Sequence, residues 1–149
     1  MRAVVQRVAW AKCVVDGTVV GQCGRGLMVL VAAHKNDEPA NALRLADKVL
    51  GMRIFNDEAG KMNLALRDLP RTDEPEILVV SNFTLYGDAL KSRRPSFVES
   101  AGYDQGEALY NVFVAALKSE NPRVAAGIFG ADMKLELLND GPVTIILDC

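Results

Sequence analysis

The stretch Cys13-Val14-Val15-Asp16-Gly17-Thr18-Val19-Val20 sets two short β-forming runs on either side of an Asp-Gly pair. That pair suits a two-residue hairpin turn, so the stretch predicts two antiparallel strands joined tightly. Upstream, Val4, Val5 and Val8 belong to a β-branched opening segment, with Arg7 set inside it. Downstream, Leu27 to Ala33 is a continuous apolar run after Gly24-Arg25-Gly26, the pattern of a buried strand.

The periodicity then changes. Asn36-Asp37-Glu38-Pro39 has the chemistry of a helix start, and Ala42, Leu45, Ala46, Val49 and Leu50 follow at helical spacing. Met52 to Phe55 is ambiguous, and Asn56-Asp57-Glu58-Ala59-Gly60 reads as a turn. Pro70 and Pro75 oppose regular structure between Leu64 and Glu76, which predicts a surface loop. Ile77 to Val80 is a strand that runs into Ser81, and Leu85 to Ser96 is polar, basic and irregular.

Asp104 and Glu107 resemble a capping box before a second helix, with Ala108, Leu109, Val112, Phe113, Ala116 and Leu117 as its stripe. Met133, Leu135 and Leu137 alternate with Lys134 and Glu136, and Val143 to Leu147 is strongly β-forming. Asn139-Asp140-Gly141-Pro142 joins these two runs and reads as a turn between strands. With no repeat and no linker, the pattern predicts a single α+β domain over residues 1–149: curved, mixed and antiparallel sheet layers covered by two main helices.

Bulk properties narrow the function. A chain of 149 residues, half of them hydrophobic, can bury a core without staples. A net charge of -2 opposes wrapping of a long phosphate backbone, which leaves a local patch or a grip on an RNA end. Cys13, Cys23 and Cys149 are odd in number and form no CxxC pair. Reduced thiols in a cytoplasmic protein are therefore expected. No signal peptide is evident in the opening residues, and no apolar run approaches the ~20 residues of a membrane span.

The chemistry is bounded by an absence. His34 is the single histidine, placed in the Ala33-His34-Lys35-Asn36 turn. A serine or cysteine hydrolase needs a base beside its nucleophile, so a histidine-dependent triad is disfavoured. The sequence has no HExxH, no His/Cys cluster, no calcium loop and neither a Walker nor a dinucleotide pattern. No metal and no cofactor is expected.

Three segments remain. Ser81-Asn82-Phe83-Thr84 offers hydroxyls, an amide and backbone N–H groups at a strand end, either as a local Ser/Thr turn or as an oxyanion-binding loop. Gly141-Pro142 is a pair in which a cis bond costs little, and it could present two rigid carbonyls to a substrate. Lys91-Ser92-Arg93-Arg94-Pro95 is a solvated loop or a local phosphate contact. A buried Arg7 would need partners such as backbone carbonyls.

Five ordered segments carry a resemblance to a known family. They are Ala3 to Val8; Arg53-Ile54-Phe55 with Asp57, Gly60, Lys61, Met62 and Asn63; Val79 to Leu85; Arg94 to Phe97 with Phe129 to Met133; and Asn139 to Thr144. Over nearly its whole length the chain resembles the bacterial-type D-aminoacyl-tRNA deacylases, departing at Asn82, where glutamine is usual. The resemblance implies a β/β/α layered fold and a homodimer with active sites at the subunit interface. It implies hydrolysis of the ester of D-aminoacyl-tRNA, and of glycyl-tRNA, gripped at the acceptor end.

Carried onto this chain, the resemblance gives Ser81, Asn82, Phe83 and Thr84 the ester pocket, with backbone N–H groups near Asn82 and Phe83 facing the carbonyl. A cis Gly141-Pro142 pair would enter the partner's pocket and exclude L-aminoacyl groups, with Arg7 fixing that loop. Phe129, Gly130, Ala131 and Met133 would border the terminal adenosine, whose 2′-hydroxyl would assist attack by water. Lys91, Arg93 and Arg94 are the candidate RNA contacts. The competing readings are a non-catalytic binder of RNA ends or nucleic acid, an esterase using Ser81 or Thr84 covalently, and a structural protein.

Overall fold

The computed structural model describes residues 1–70, 76–121 and 123–149. In chain order its elements are β1 (Arg2–Val15), β2 (Thr18–Cys23), β3 (Gly26–Ala32), α1 (Pro39–Gly51), β4 (Phe55–Asn56), β5 (Met62–Leu64), β6 (Ile77–Ser81), α2 (Tyr103–Glu120), β7 (Val124–Ala126) and β8 (Lys134–Asp148). Of the loop predicted between Leu64 and Glu76, residues 71–75 lie outside the described residues, and Leu66–Asp68 forms a short 3-10 helix.

Asp16 and Gly17 both take positive φ, 48° and 77°, the conformation that turns β1 into β2 in a tight hairpin. One edge of β1 is shared: Arg2 to Val8 pair with β3, and Ala11 to Val15 pair with β2. The other edge pairs antiparallel with β8 from Arg2 to Val14. β3, β6 and β7 run parallel, so the sheet is mixed. It curls until β2 meets β7, where a Cβ on Gly21 would lie 2.7 Å from the carbonyl oxygen of Ala126.

The curl explains the continuous apolar runs of β3 and β6, which are buried on both faces. Val5, Leu27, Val29, Ile77 and Val79 face a core shared with α1 and α2. Val8, Met28, Leu78 and Val80 face a second core inside the curl, with Cys13 and Cys23. All five residues of the predicted α1 stripe are buried. The expected α+β architecture, a curved mixed sheet covered by two helices, is the one observed.

Two local expectations are corrected. α2 starts at Tyr103 with Gly102 as its N-cap and no side-chain cap, so Asp104 and Glu107 form no capping box. Asp104 instead sits in the first turn, where a carboxylate suits the helix dipole. The buried stripe of α2 includes Tyr110 and Val114, while Ala108 is exposed. Asn139 to Pro142 is also not a turn between separate strands. Both arms of β8 pair with β1, with Val8 opposite Asn139 and Gln6 opposite Thr144. Residues 140–143 therefore bulge out of one long strand opposite Arg7.

Candidate active site

β3 and β6 end side by side, with Val31 opposite Ser81. The Asn82 N–H continues the ladder by donating to Val31 O at 2.8 Å. Asn82 then caps a 3-10 turn over Phe83–Tyr86. The N–H groups of Phe83 and Thr84 stand at the start of that turn and have no partner within it. The free backbone donors are therefore those of Phe83 and Thr84; Asn82, expected among them, has spent its N–H on the sheet.

These strand ends form one wall of a cavity of about 500 Å³. Ser81, Asn82 and Phe83 line it, and so do Phe129, Gly130, Ala131 and Met133. Gly127 brings the second segment in by donating its N–H to Val79 O at 2.9 Å, and Gly130 turns it with φ 75°. The sequence reading missed the remaining wall: Met1, the run from Ser100 to Tyr103, Tyr110 and Asp132. The period-3.6 placement of Tyr110 beside Phe113 and Leu117 signalled burial, but not that its hydroxyl would meet Val79 O at 3.1 Å.

The cavity holds no free base among the described residues. Burial pushes the Tyr110 phenol up to about 12, so it stays protonated at neutral pH. Both Asp132 oxygens are taken by Lys134 Nζ, at 2.8 and 2.9 Å. His34 is occupied at both ring nitrogens: Nδ1 accepts from the Asn36 N–H at 3.1 Å, and Nε2 meets Glu99 Oε2 at 3.0 Å. The Thr84 hydroxyl is exposed and donates to Asn82 Oδ1 at 2.6 Å. An amide oxygen takes a hydrogen bond but does not take the proton.

Arg7 and the Gly141-Pro142 pair do not line this cavity within the chain. Arg7 is buried, and its Nη1 donates to Ile54 O at 2.6 Å, the kind of carbonyl partner the sequence called for. Its Nε lies 3.0 Å from Asp140 Oδ2, an ion pair whose angle falls outside hydrogen-bond geometry. The bulge is pinned at its base by Asn139, whose Nδ2 donates to Arg7 O at 2.9 Å and Val143 O at 3.0 Å. Above it the Gly141-Pro142 bond is cis and both residues are exposed. Gly141 has φ 117°, a conformation disfavoured for side-chain-bearing residues, and a Cβ there would sit 2.8 Å from Val143 Cγ2.

Lys91, Arg93 and Arg94 lie on an exposed loop away from the cavity wall, closed by a reciprocal pair of Asp88–Ser96 backbone bonds at 2.8 Å. None of the three makes an ion pair with a described residue. Phe97, one residue past the loop, packs edge-on to Phe83 at 5.2 Å and ties it to the 3-10 turn. Among the described residues no group of three or more His, Cys, Asp or Glu side chains could hold a metal. No helix among them is long and apolar enough to cross a membrane.

The family model described as D-Tyr-tRNA(Tyr) deacylase matches residues 4–148. A D-aminoacyl-tRNA deacylase of Clostridium botulinum (strain Eklund 17B / Type B) is 51% identical over 148 residues, covering 99% of this chain and 97% of that one. Its counterpart in Thermotoga petrophila is 52% identical with the same coverage. A solved structure described as a c-Myc DNA unwinding element binding protein superposes with a TM-score of 0.90 at 36% identity, covering 100% of this chain and 99% of that one. A probable eukaryotic D-amino acid tRNA deacylase superposes at 0.83 with 22% identity, covering 99% and 98%, a likeness of fold alone. The chain belongs to the D-Tyr-tRNA(Tyr) deacylase family.

Proposed function

We propose that this protein hydrolyses the ester bond of D-aminoacyl-tRNA, and of glycyl-tRNA, in the cytoplasm, as a single-domain chain that works as a homodimer. The observation that carries this reading is a pair of backbone N–H groups unpaired within the 3-10 turn, that of Phe83, which lines a cavity without a free base among the described residues, and that of Thr84 next to it in the chain. Donors fixed in place can stabilise a developing oxyanion without any reorganisation. Loss of one such donor typically costs about 3–4 kcal/mol of barrier, so geometry can carry much of the rate.

Water is the nucleophile in this account. It attacks the ester carbonyl, Phe83 and Thr84 N–H meet the oxyanion, and the 2′-hydroxyl of the terminal ribose assists proton transfer. The amino acid leaves as the free acid and the RNA recovers its 3′-hydroxyl. Ser81 and Asn82 shape the pocket, and Phe129, Gly130, Ala131 and Met133 border the adenosine.

The dimer is supported by what the single chain leaves exposed. β8 pairs with β1 along one edge only, and a long unpaired edge invites a second chain. Trp10, Leu138 and Ile146 are large apolar residues exposed on β1 and β8. The Gly141-Pro142 bulge is exposed and does not line its own chain's cavity, as expected of a filter acting in the partner's pocket. A filter that excludes L side chains by occupying their space has nothing to reject in glycine, so glycyl-tRNA is accepted.

Release of the free amino acid from D-aminoacyl-tRNA by the purified protein tests the assignment. Turnover is expected. Tight binding of the acceptor end without hydrolysis would favour the nucleic-acid-binding alternative, to which the unpaired Lys91, Arg93 and Arg94 are equally suited.

A further inference from the structure

We propose that Tyr103 is a stacking platform for the nucleobase preceding the terminal adenosine of the bound RNA, an inference that rests on reading the cavity as the aminoacyl-ester site. Three rings form a row from the cavity's buried wall to its lip. Tyr110 and Phe129 have centroids 5.6 Å apart, and Phe129 and Tyr103 are 5.2 Å apart in an edge-to-face contact. Tyr110 at one end is buried, whereas Tyr103 at the other is 62% exposed.

Tyr103 is held in place. A Cβ on Gly130 would lie 2.8 Å from the Tyr103 hydroxyl and 2.9 Å from its ring, so the ring rests against bare backbone. With Gly130 and Phe129 against it, the ring stands at the mouth before any ligand arrives, and little freedom is lost on binding. An adenosine bordered by Phe129, Gly130 and Ala131 leaves its 5′ neighbour beside that ring. Base–aromatic stacking is tolerant of sequence because every base has a π-face, which suits an enzyme that takes many RNAs by a common end. No cation or carboxylate is required of Tyr103, and its hydroxyl makes no hydrogen bond with another described residue.

The test compares two D-alanyl esters, of adenosine and of an acceptor-stem minihelix, on the parent protein, Tyr103→Ala and Tyr103→Phe. Binding of the uncharged minihelix is measured in parallel by fluorescence anisotropy. Tyr103→Ala is expected to raise KM for the minihelix ester, and Kd for the uncharged minihelix, about tenfold at unchanged kcat. Because Tyr103 also packs against Phe129 at the cavity wall, some loss on the adenosine ester is expected, but the loss on the minihelix ester should exceed it about tenfold, and Tyr103→Phe should restore the parent values. Unchanged minihelix binding, or equal losses on both esters, would overturn the proposal. A loss confined to D-tyrosyl esters, present on adenosine as well, would place the amino-acid side chain on the ring and overturn it too. A parent protein that hydrolyses neither ester refutes the hydrolase reading instead, and the anisotropy arm still decides the role of Tyr103.

Discussion

The Thr84 hydroxyl donates a hydrogen bond to Asn82 Oδ1 across 2.6 Å, at the turn that begins where β6 ends. The partner is an amide and not a base, so the contact orients Thr84 without activating it. Thr84→Ala is therefore predicted to retain measurable turnover on D-aminoacyl-tRNA, within about tenfold of the parent, equivalent to ~1.4 kcal/mol. Rapid quenching followed by mass spectrometry checks the same point from the other side. Abolished turnover together with an acyl group trapped on Thr84 in the parent would establish a covalent route.

The Asn82 backbone serves the sheet, and its side chain serves Thr84. Lengthening that side chain by one methylene in Asn82→Gln should then change kcat/KM by less than about tenfold. A gain of around a hundredfold, ~2.7 kcal/mol, would mean that the side chain reaches the substrate.

Asn139 secures the bulge through one Nδ2 that bridges Arg7 O and Val143 O. In Asn139→Ala two carbonyls lose a partner at the base of the Gly141-Pro142 loop. Denaturant unfolding should show a loss of about 1–2 kcal/mol. The ratio of D- to L-ester hydrolysis should also fall, because a loosened loop is a poorer filter. A stability loss with undiminished selectivity would separate this loop from chiral discrimination.

Glu99 lies below the usual carboxylate range because it accepts from Lys35 Nζ and then from His34, at 2.9 and 3.0 Å. Its folded value is depressed, so the pairing is present above the ordinary glutamate range and is lost as pH falls through the lowered value. Its backbone holds Lys35 N–H at 3.0 Å, next to the Ser100 wall of the cavity. Carboxyl-detected NMR should find Glu99 titrating below other exposed glutamates, and Lys35→Ala should move it upward. No movement in Lys35→Ala would show that Lys35 is not the cause.

Much of the fold was legible because its signals are local. The Asp16-Gly17 turn, the five-residue α1 stripe and the apolar runs of β3 and β6 each depend on neighbours within a few positions. The bulge was not legible, since Asn139 to Pro142 carries the composition of a turn. Only the pairing of both β8 arms with the distant β1 makes it an insertion in one strand. The α2 start was misplaced because Asp104 and Glu107 carry the spacing of a capping box, while the helix starts without a side-chain cap two residues earlier, after Gly102.

The site divided in the same way. Ser81, Asn82, Phe83, Phe129, Gly130, Ala131 and Met133 do converge on one cavity, whereas Thr84, predicted with them, does not line it. The wall from Ser100 to Tyr103 was missed because it arrives by a long-range bridge, His34 to Ser100, that no sequence spacing encodes. Arg7, Gly141 and Pro142 were identified but stand apart from their own chain's cavity.

The most direct test of the central claim is the ratio of hydrolysis rates for D- and L-tyrosyl esters of one tRNA, measured on the purified protein against a no-enzyme control. The account predicts rapid loss of the D ester, with the L ester decaying at the uncatalysed rate. Equal rates for the two, or no hydrolysis of the D ester, would contradict it.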